Sequence, residues 1–306
     1  MTPSPETDFW SAPDGTRFRR VRWRAESAPR ARVIALHGLS CRSEDFAPLA
    51  ERFSERGILV EAWDLRGQGL DPDPTRRGAW LEIDGMLADL AAFAGEPTEL
   101  PLFLAGDSMG ALLAIQAAAR PEWRSRLAGL MLFVPVVALA RENPRWVKPT
   151  LRFLSAILPG LRLKPSWFVQ GSGEMPILTR IPERQHELAT APHRLGPLTF
   201  SFLANMGDLI ETAPPAASKI RTPTALFSAG HDVFITEAQQ CAFFADIAAP
   251  DKMHFHYPEA FHQLLFDLDA EQVLADATAW IEARLPTTPS LRSAARICRS
   301  RRAGES

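Results

Sequence analysis

A strand-like run, Leu100 to Ala105, feeds directly into Gly106-Asp107-Ser108-Met109-Gly110, and an alanine-rich stretch carries on from there to Pro121. Two glycines flanking a serine permit a sharp strand-to-helix turn where neighbouring backbones nearly touch. Similar short apolar runs recur along the chain. Arg32 to His37, Ile58 to Trp63, Leu127 to Val134, Thr222 to Ala229 and Met253 to Tyr257 all read as strands. Between them, Phe46, Leu49, Ala50 and Phe53 fall at helical spacing before Gly57, and Val273, Leu274, Ala277, Trp280 and Ile281 form one face of a helix over 269–284. The alternation predicts an α/β fold, with a mostly parallel central sheet and helices on both faces.

Two segments break the rhythm. Trp10 to Trp23 reads as a hairpin turned at Asp14-Gly15, with residues 1–9 as a flexible lead. Its five arginines between Arg17 and Arg24 allow two readings, a phosphate-binding patch or a charged guard on an edge strand. The second segment, 135–215, holds 11 of the chain's 26 prolines together with Trp146, Leu151, Phe153, Leu154, Ile157, Leu158, Leu161, Trp167 and Phe168. Proline limits helix length, so short helices and turns are expected there. So many large apolar groups do not suit a solvated linker, and an inserted cap over a core of 10–134 and 216–285 fits both facts.

Composition narrows the class. With 306 residues, 46% hydrophobic and 23% charged, the chain can bury a sizeable core. A net charge of -2 argues against nucleic acid as partner. That balance hides an asymmetry, because residues 286–306 hold five arginines against one glutamate, +4 on a body of -6, and read as a loose tail. Three separated cysteines, Cys41, Cys241 and Cys298, make neither a disulfide framework nor a metal cluster. The acidic, proline-containing start from Met1 to Trp10 is no secretory signal, and the apolar run Leu127 to Ala140 is too short to span a bilayer. A cytoplasmic protein is expected, with room for transient contact with a membrane surface.

The chemistry centres on Ser108. Its hydroxyl needs a base, and the base needs an orienting acid. His262 follows the last predicted strand and Asp232 the one before it, so the order Ser108, Asp232, His262 is the one a G-x-S-x-G turn calls for in such a sheet. Asp267 and Asp269 stand as fallback acids at the start of the final helix. His254 and His256 alternate within a strand, His231 adjoins Asp232, and His186 and His193 fall in the irregular segment. An oxyanion hole needs two convergent amides, and Met109 and Leu39 can supply them, with His37 as an anchor for the Leu39 loop. A metal at His254-x-His256 is disfavoured because such spacing on a strand is common. Arg66-Gly67-Gln68-Gly69 lacks the full dinucleotide fingerprint, so no cofactor is expected.

On these residues the chain resembles the alpha/beta-hydrolase superfamily, and within it the serine hydrolases that include monoacylglycerol lipases and bacterial lysophospholipases. The likeness rests on His37-Gly38-Leu39, on Trp63 to Gly69, on Gly106 to Gly110, and on the surroundings of Asp232 and His262, and it covers about residues 10–285. It implies a sheet of about eight strands, a helical cap and no cofactor. It also implies hydrolysis of an ester with an apolar acyl chain, with Ser108 as nucleophile, Asp232 as acid, His262 as base, and Leu39 and Met109 as oxyanion donors. Asp107 departs from the pattern, since histidine is frequent at that position. Thioester, amide or carbon–carbon bond cleavage, or a binding protein that has lost catalysis, are the alternatives.

Overall fold

The fold is taken from a computed structural model that describes residues 4–25, 28–73, 75–79, 82–95, 99–141, 143–163 and 175–285. The expected tail and the aromatic pair Trp167 and Phe168 lie outside the described residues.

The central sheet has eight strands: β1 (Glu6–Ser11), β2 (Arg17–Trp23), β3 (Ala31–Leu36), β4 (Ile58–Trp63), β5 (Leu102–Asp107), β6 (Leu127–Phe133), β9 (Thr224–His231) and β10 (Lys252–Phe261). Their spatial order is β1-β2-β4-β3-β5-β6-β9-β10. The β1–β2 and β2–β4 pairs are antiparallel and every other pair is parallel. The hairpin begins earlier than the sequence pattern indicated: Glu6 to Phe9 pair with β2, because Glu6 and Asp8 can face its arginines across the ladder.

Helices cover both faces. On one lie α2 (Ile83–Ala94), α3 (Met109–Ala118), the short α4 (Pro121–Arg124) and α8 (Glu237–Asp246). On the other lie α1 (Ala47–Ser54) and α9 (Ala270–Glu282). Every residue of α3 except Gln116 is buried, as a helix without a charged side chain requires. Its first turn packs so tightly on β3 that a Cβ on Gly110 would overlap the Leu36 carbonyl.

The segment between β6 and β9 carries α5 (Val147–Ile157), α6 (Pro182–Thr190) and α7 (Phe200–Ala217), with a two-residue ladder between β7 (Arg162–Leu163) and β8 (Leu198–Thr199). Against the expectation that short helices and turns dominate here, α7 is an exception that runs 18 residues. Proline position matters more than proline number: Pro197 precedes this helix and Pro214 enters only its last turn, so the run between them is free to coil. In α6, Pro182 occupies the first turn, where its missing N–H costs no hydrogen bond.

Candidate active site

Ser108 stands at the junction of β5 and α3 with φ 50 and ψ -110, a conformation unfavourable for any residue but glycine. The sheet imposes it. The Ser108 amide donates to the Phe133 carbonyl at 2.9 Å, and the Val134 amide to Phe227 at 2.8 Å. Val134 itself has φ 40, so two strained residues sit side by side at the carboxyl ends of adjacent strands.

Two loops meet the serine. β9 ends at His231, and Asp232 follows with its side chain fully buried. β10 continues to Phe261, farther than its apolar run indicated, and delivers His262 at its end. His262 Nε2 lies 3.0 Å from Ser108 Oγ, and Nδ1 lies 2.7 Å from Asp232 Oδ2. The other carboxylate oxygen accepts the Phe234 amide at 2.9 Å, and the Phe234 ring stands edge-to-face on the imidazole at 4.7 Å between centroids. Phe234 therefore restrains both members of the pair, a role that its sequence position did not advertise.

Burial works against a charge on His262, but the Asp232 carboxylate, through its charge and its hydrogen bond, and then Asp107 hold the imidazole above the ordinary histidine range. Burial also pushes the Asp107 carboxyl up to about 7. His262 and Arg184 oppose that rise, while Asp45 and Asp232 add to it. The departure at Asp107 thus places a second titratable carboxyl beside the serine.

The loop His37-Gly38-Leu39 closes the site from the β3 side. A Cβ on Gly38 would lie 2.9 Å from Asp107 Oδ2 and 3.3 Å from Ser108 Cβ, so any larger residue would push on the Asp107 carboxylate beside the serine. His37 is an anchor: its Nε2 accepts the Leu65 amide at 2.9 Å, and Nδ1 lies 2.8 Å from the Gly38 carbonyl. Its burial holds it neutral, below the usual histidine value. Among the described residues, neither the Leu39 nor the Met109 amide donates to a protein acceptor. Asp64 binds the next turn, accepting from the Ser43 amide and hydroxyl and from the Leu70 amide. Gln68 reaches Met109 Sδ at 3.4 Å, so the glycine-rich loop braces the elbow.

The remaining candidates go elsewhere. Asp267 does not cap the last helix. Its buried carboxylate accepts the Phe261 amide and pairs with Arg180, as does Asp269. His254 and His256 both contact Ser228 Oγ, at 2.7 and 2.9 Å. His231 is exposed against Phe261, His186 lies on the exposed side of α6, and burial lowers His193. No group of three or more potential metal ligands is assembled among the described residues. In the hairpin, Arg20 and Arg22 pair with Asp8, Arg24 with Glu6 and Arg19 with Glu44, which favours the guarded-edge reading over a phosphate patch. Arg66 is committed to Asp89 and Asp14.

Known proteins resemble this chain over most of its length. A monoacylglycerol lipase of Mycolicibacterium smegmatis is 25% identical over 270 residues, 86% of this chain and 92% of that protein. A phospholipase of Bacillus subtilis is 23% identical over 268 residues, 85% of this chain and 98% of that protein. The crystal structure of a monoacylglycerol lipase from Paleococcus ferrophilus superposes with a TM-score of 0.75 at 22% identity, covering 87% of this chain and 99% of that one, a likeness of fold. The family model described as serine aminopeptidase, S33, matches residues 27–269. The chain belongs to that family, and it is a serine hydrolase of the alpha/beta-hydrolase fold.

Proposed function

We propose that the protein hydrolyses carboxylic monoesters with an apolar acyl chain, of the monoacylglycerol or lysophospholipid kind, through an acyl-enzyme on Ser108. The observation that carries this reading is the hydrogen-bonded chain Ser108 Oγ, His262, Asp232, with spacings of 3.0 and 2.7 Å. Relatives named monoacylglycerol lipase and phospholipase support the substrate class.

The reaction starts as Ser108 Oγ attacks the ester carbonyl carbon while His262 Nε2 takes its proton. The carbonyl electron pair moves to oxygen, where the Leu39 and Met109 amides and the start of α3 meet the developing charge. Asp232 keeps Nδ1 protonated and favours the imidazolium. The tetrahedral centre then collapses, the ester C–O bond breaks, and His262 protonates the departing alcohol. Water, losing its proton to the same nitrogen, cleaves the acyl-enzyme and restores Ser108. Five side chains and amides account for the whole cycle, which calls on no cofactor.

The segment 135–215 serves as cap, and its α5 region is the face we assign to a lipid surface. Trp146, Phe153, Ile157, Leu158 and Leu161 are all exposed there, between 44% and 66%, where a freely solvated surface would favour polar groups. No helix among the described residues is long and apolar enough to cross a membrane. Peripheral contact from the cytoplasm fits both facts, and the free thiols Cys41 and Cys241 suit a reducing compartment.

The test is a chain-length series of glycerol and nitrophenyl esters, with Ser108→Ala as control and fluorophosphonate labelling as a substrate-independent probe. Turnover rising with medium and long acyl chains is expected, with both turnover and label lost in the variant. A strict preference for acetyl esters would overturn the acyl-chain reading. Turnover confined to thioesters or amides would replace it with the second reading, of which kinship with serine aminopeptidases supports the amide branch. Absence of labelling in folded wild-type protein would point to a binding protein.

A further inference from the structure

Next to the serine, a small cavity is lined by His37, Cys41, Asp45, Asp107 and Gln263. A cap residue bonds two of these lining side chains. Arg184 of α6 is only 8% exposed, and its guanidinium donates to Asp45 Oδ1 at 2.9 Å and, more weakly, to Gln263 Oε1 at 3.4 Å. The same guanidinium lies 3.9 Å from the Phe266 ring centroid.

Each partner leads to one half of the active site. Asp45 Oδ2 accepts the Arg42 amide at 2.9 Å, and the Cys41 amide donates to the Gly38 carbonyl at 3.2 Å, so Asp45 closes the loop that carries Leu39. Gln263 is the residue after His262, and its own amide donates to the Leu178 carbonyl of the cap at 2.8 Å. Arg180 binds Asp267 beside it, and Asp267 in turn holds the Phe261 amide. The histidine loop is therefore strapped between core and cap from Leu178 to Arg184, and Arg184 bridges Gln263 of that strap to Asp45 of the oxyanion loop, beside a direct contact of Gln263 with Cys41.

We infer that Arg184 is a positioning residue for hydrolysis, setting the His262 loop against the Leu39 loop without touching substrate. The inference rests on the assignment of Ser108 and His262 as nucleophile and base. Two loops that must agree to a fraction of an ångström share one buried cation. Its loss removes the ionic link between them and leaves the weaker Gln263–Cys41 contact, and misplacement on that scale slows chemistry by about 10- to 100-fold. Burial alone would make Arg184 a stability element, because breaking a buried pair strands the remaining charge. The experiment has to separate the two roles.

Four variants do so: Arg184→Met, Arg184→Lys, Asp45→Asn, and the double variant Asp45→Asn with Arg184→Met. Each is compared with wild type for kcat and KM on a soluble nitrophenyl ester, for the rate of fluorophosphonate labelling, and for Tm. Arg184→Met is expected to lower kcat and the labelling rate together by about 10-fold or more with KM little changed. Arg184→Lys should recover part of that loss. The double variant removes both charges, so it should regain Tm yet stay slow. Wild-type kcat in either the double variant or a folded Arg184→Met would overturn the inference, leaving Arg184 a stability element. If Arg184→Met does not fold, Arg184→Lys and the double variant decide the matter by the same criteria. Labelling of wild type that is lost in Ser108→Ala checks the nucleophile separately, so failure of one reading is not mistaken for failure of the other.

Discussion

Gly110 presses its α-carbon so closely on the carbonyl of Leu36 that a single added methyl would overlap the oxygen. The contact fixes the start of α3 against β3, and with it the height at which Ser108 leaves the sheet. Neither backbone can retreat: Leu36 sits in a paired strand and Gly110 in a buried helix. Gly110→Ala is expected to cost at least about 3 kcal/mol, beyond ordinary overpacking, because backbone and not a side chain must move. Chemical denaturation followed by circular dichroism measures it, and near-wild-type stability would mean that the elbow yields more than its packing indicates.

Asp232 spends one carboxylate oxygen on His262 and the other on the Phe234 amide. Asp232→Asn keeps the shape but presents an amide that disfavours the productive tautomer of the imidazole. A fall in kcat of about four orders of magnitude is expected, with Tm changed far less. Steady-state kinetics on one good ester substrate suffices, and a loss below tenfold would hand the acid role to another group.

The pH profile should carry the signature of Asp107. His262 must be neutral to accept the serine proton, and its folded pKa lies above the ordinary 6.5. Activity therefore falls as pH drops through that raised value, giving kcat/KM an acid limb above pH 6.5. The negative charge of Asp107 contributes to the elevation. Asp107→Asn removes it and should move the acid limb to lower pH, so that relative activity at mildly acidic pH rises. An unmoved or upward-moving limb would show that the carboxyl at this position is electrostatically silent.

Exposed apolar groups on α5 make a separate prediction. Phe153→Ser with Ile157→Ser should weaken binding to phosphatidylcholine–phosphatidylglycerol vesicles by about 100-fold or more, since each side chain withdraws roughly 1.5–3 kcal/mol of burial from the lipid. Turnover of a short soluble ester should stay unchanged. Equal vesicle binding by both proteins would remove α5 from any surface contact.

Much of this architecture can be read from the chain because parallel strands buried on both faces are continuous apolar runs. Ile58–Trp63 is bounded as its composition indicates. The limits appear where pairing outlasts hydrophobicity. Gly106 and Asp107 still pair with Leu132 and Phe133 at the end of β5, although neither signals a strand, and β10 runs on to Phe261 for the same reason. Spacing and order alone single out Ser108, Asp232 and His262, which the fold brings into hydrogen-bonding reach. Nothing local marks Arg184, whose partner Asp45 lies 139 residues away, or Arg180, whose partner Asp267 lies 87 away. Charge pairing across the fold has no periodicity, and so it leaves no trace in a one-dimensional pattern.

The hydrogen bond from His262 to Ser108 spans 154 residues, and the Asp232 carboxylate enters only near the end of that span. During synthesis the ribosome therefore delivers the serine first, then the entire cap, and the histidine last. A nascent or prematurely terminated chain that stops before residue 262 holds Ser108 without the proposed base. Contacts of such long range also form late in folding. On the proposed assignment, ester hydrolysis therefore waits for the segment that carries His262.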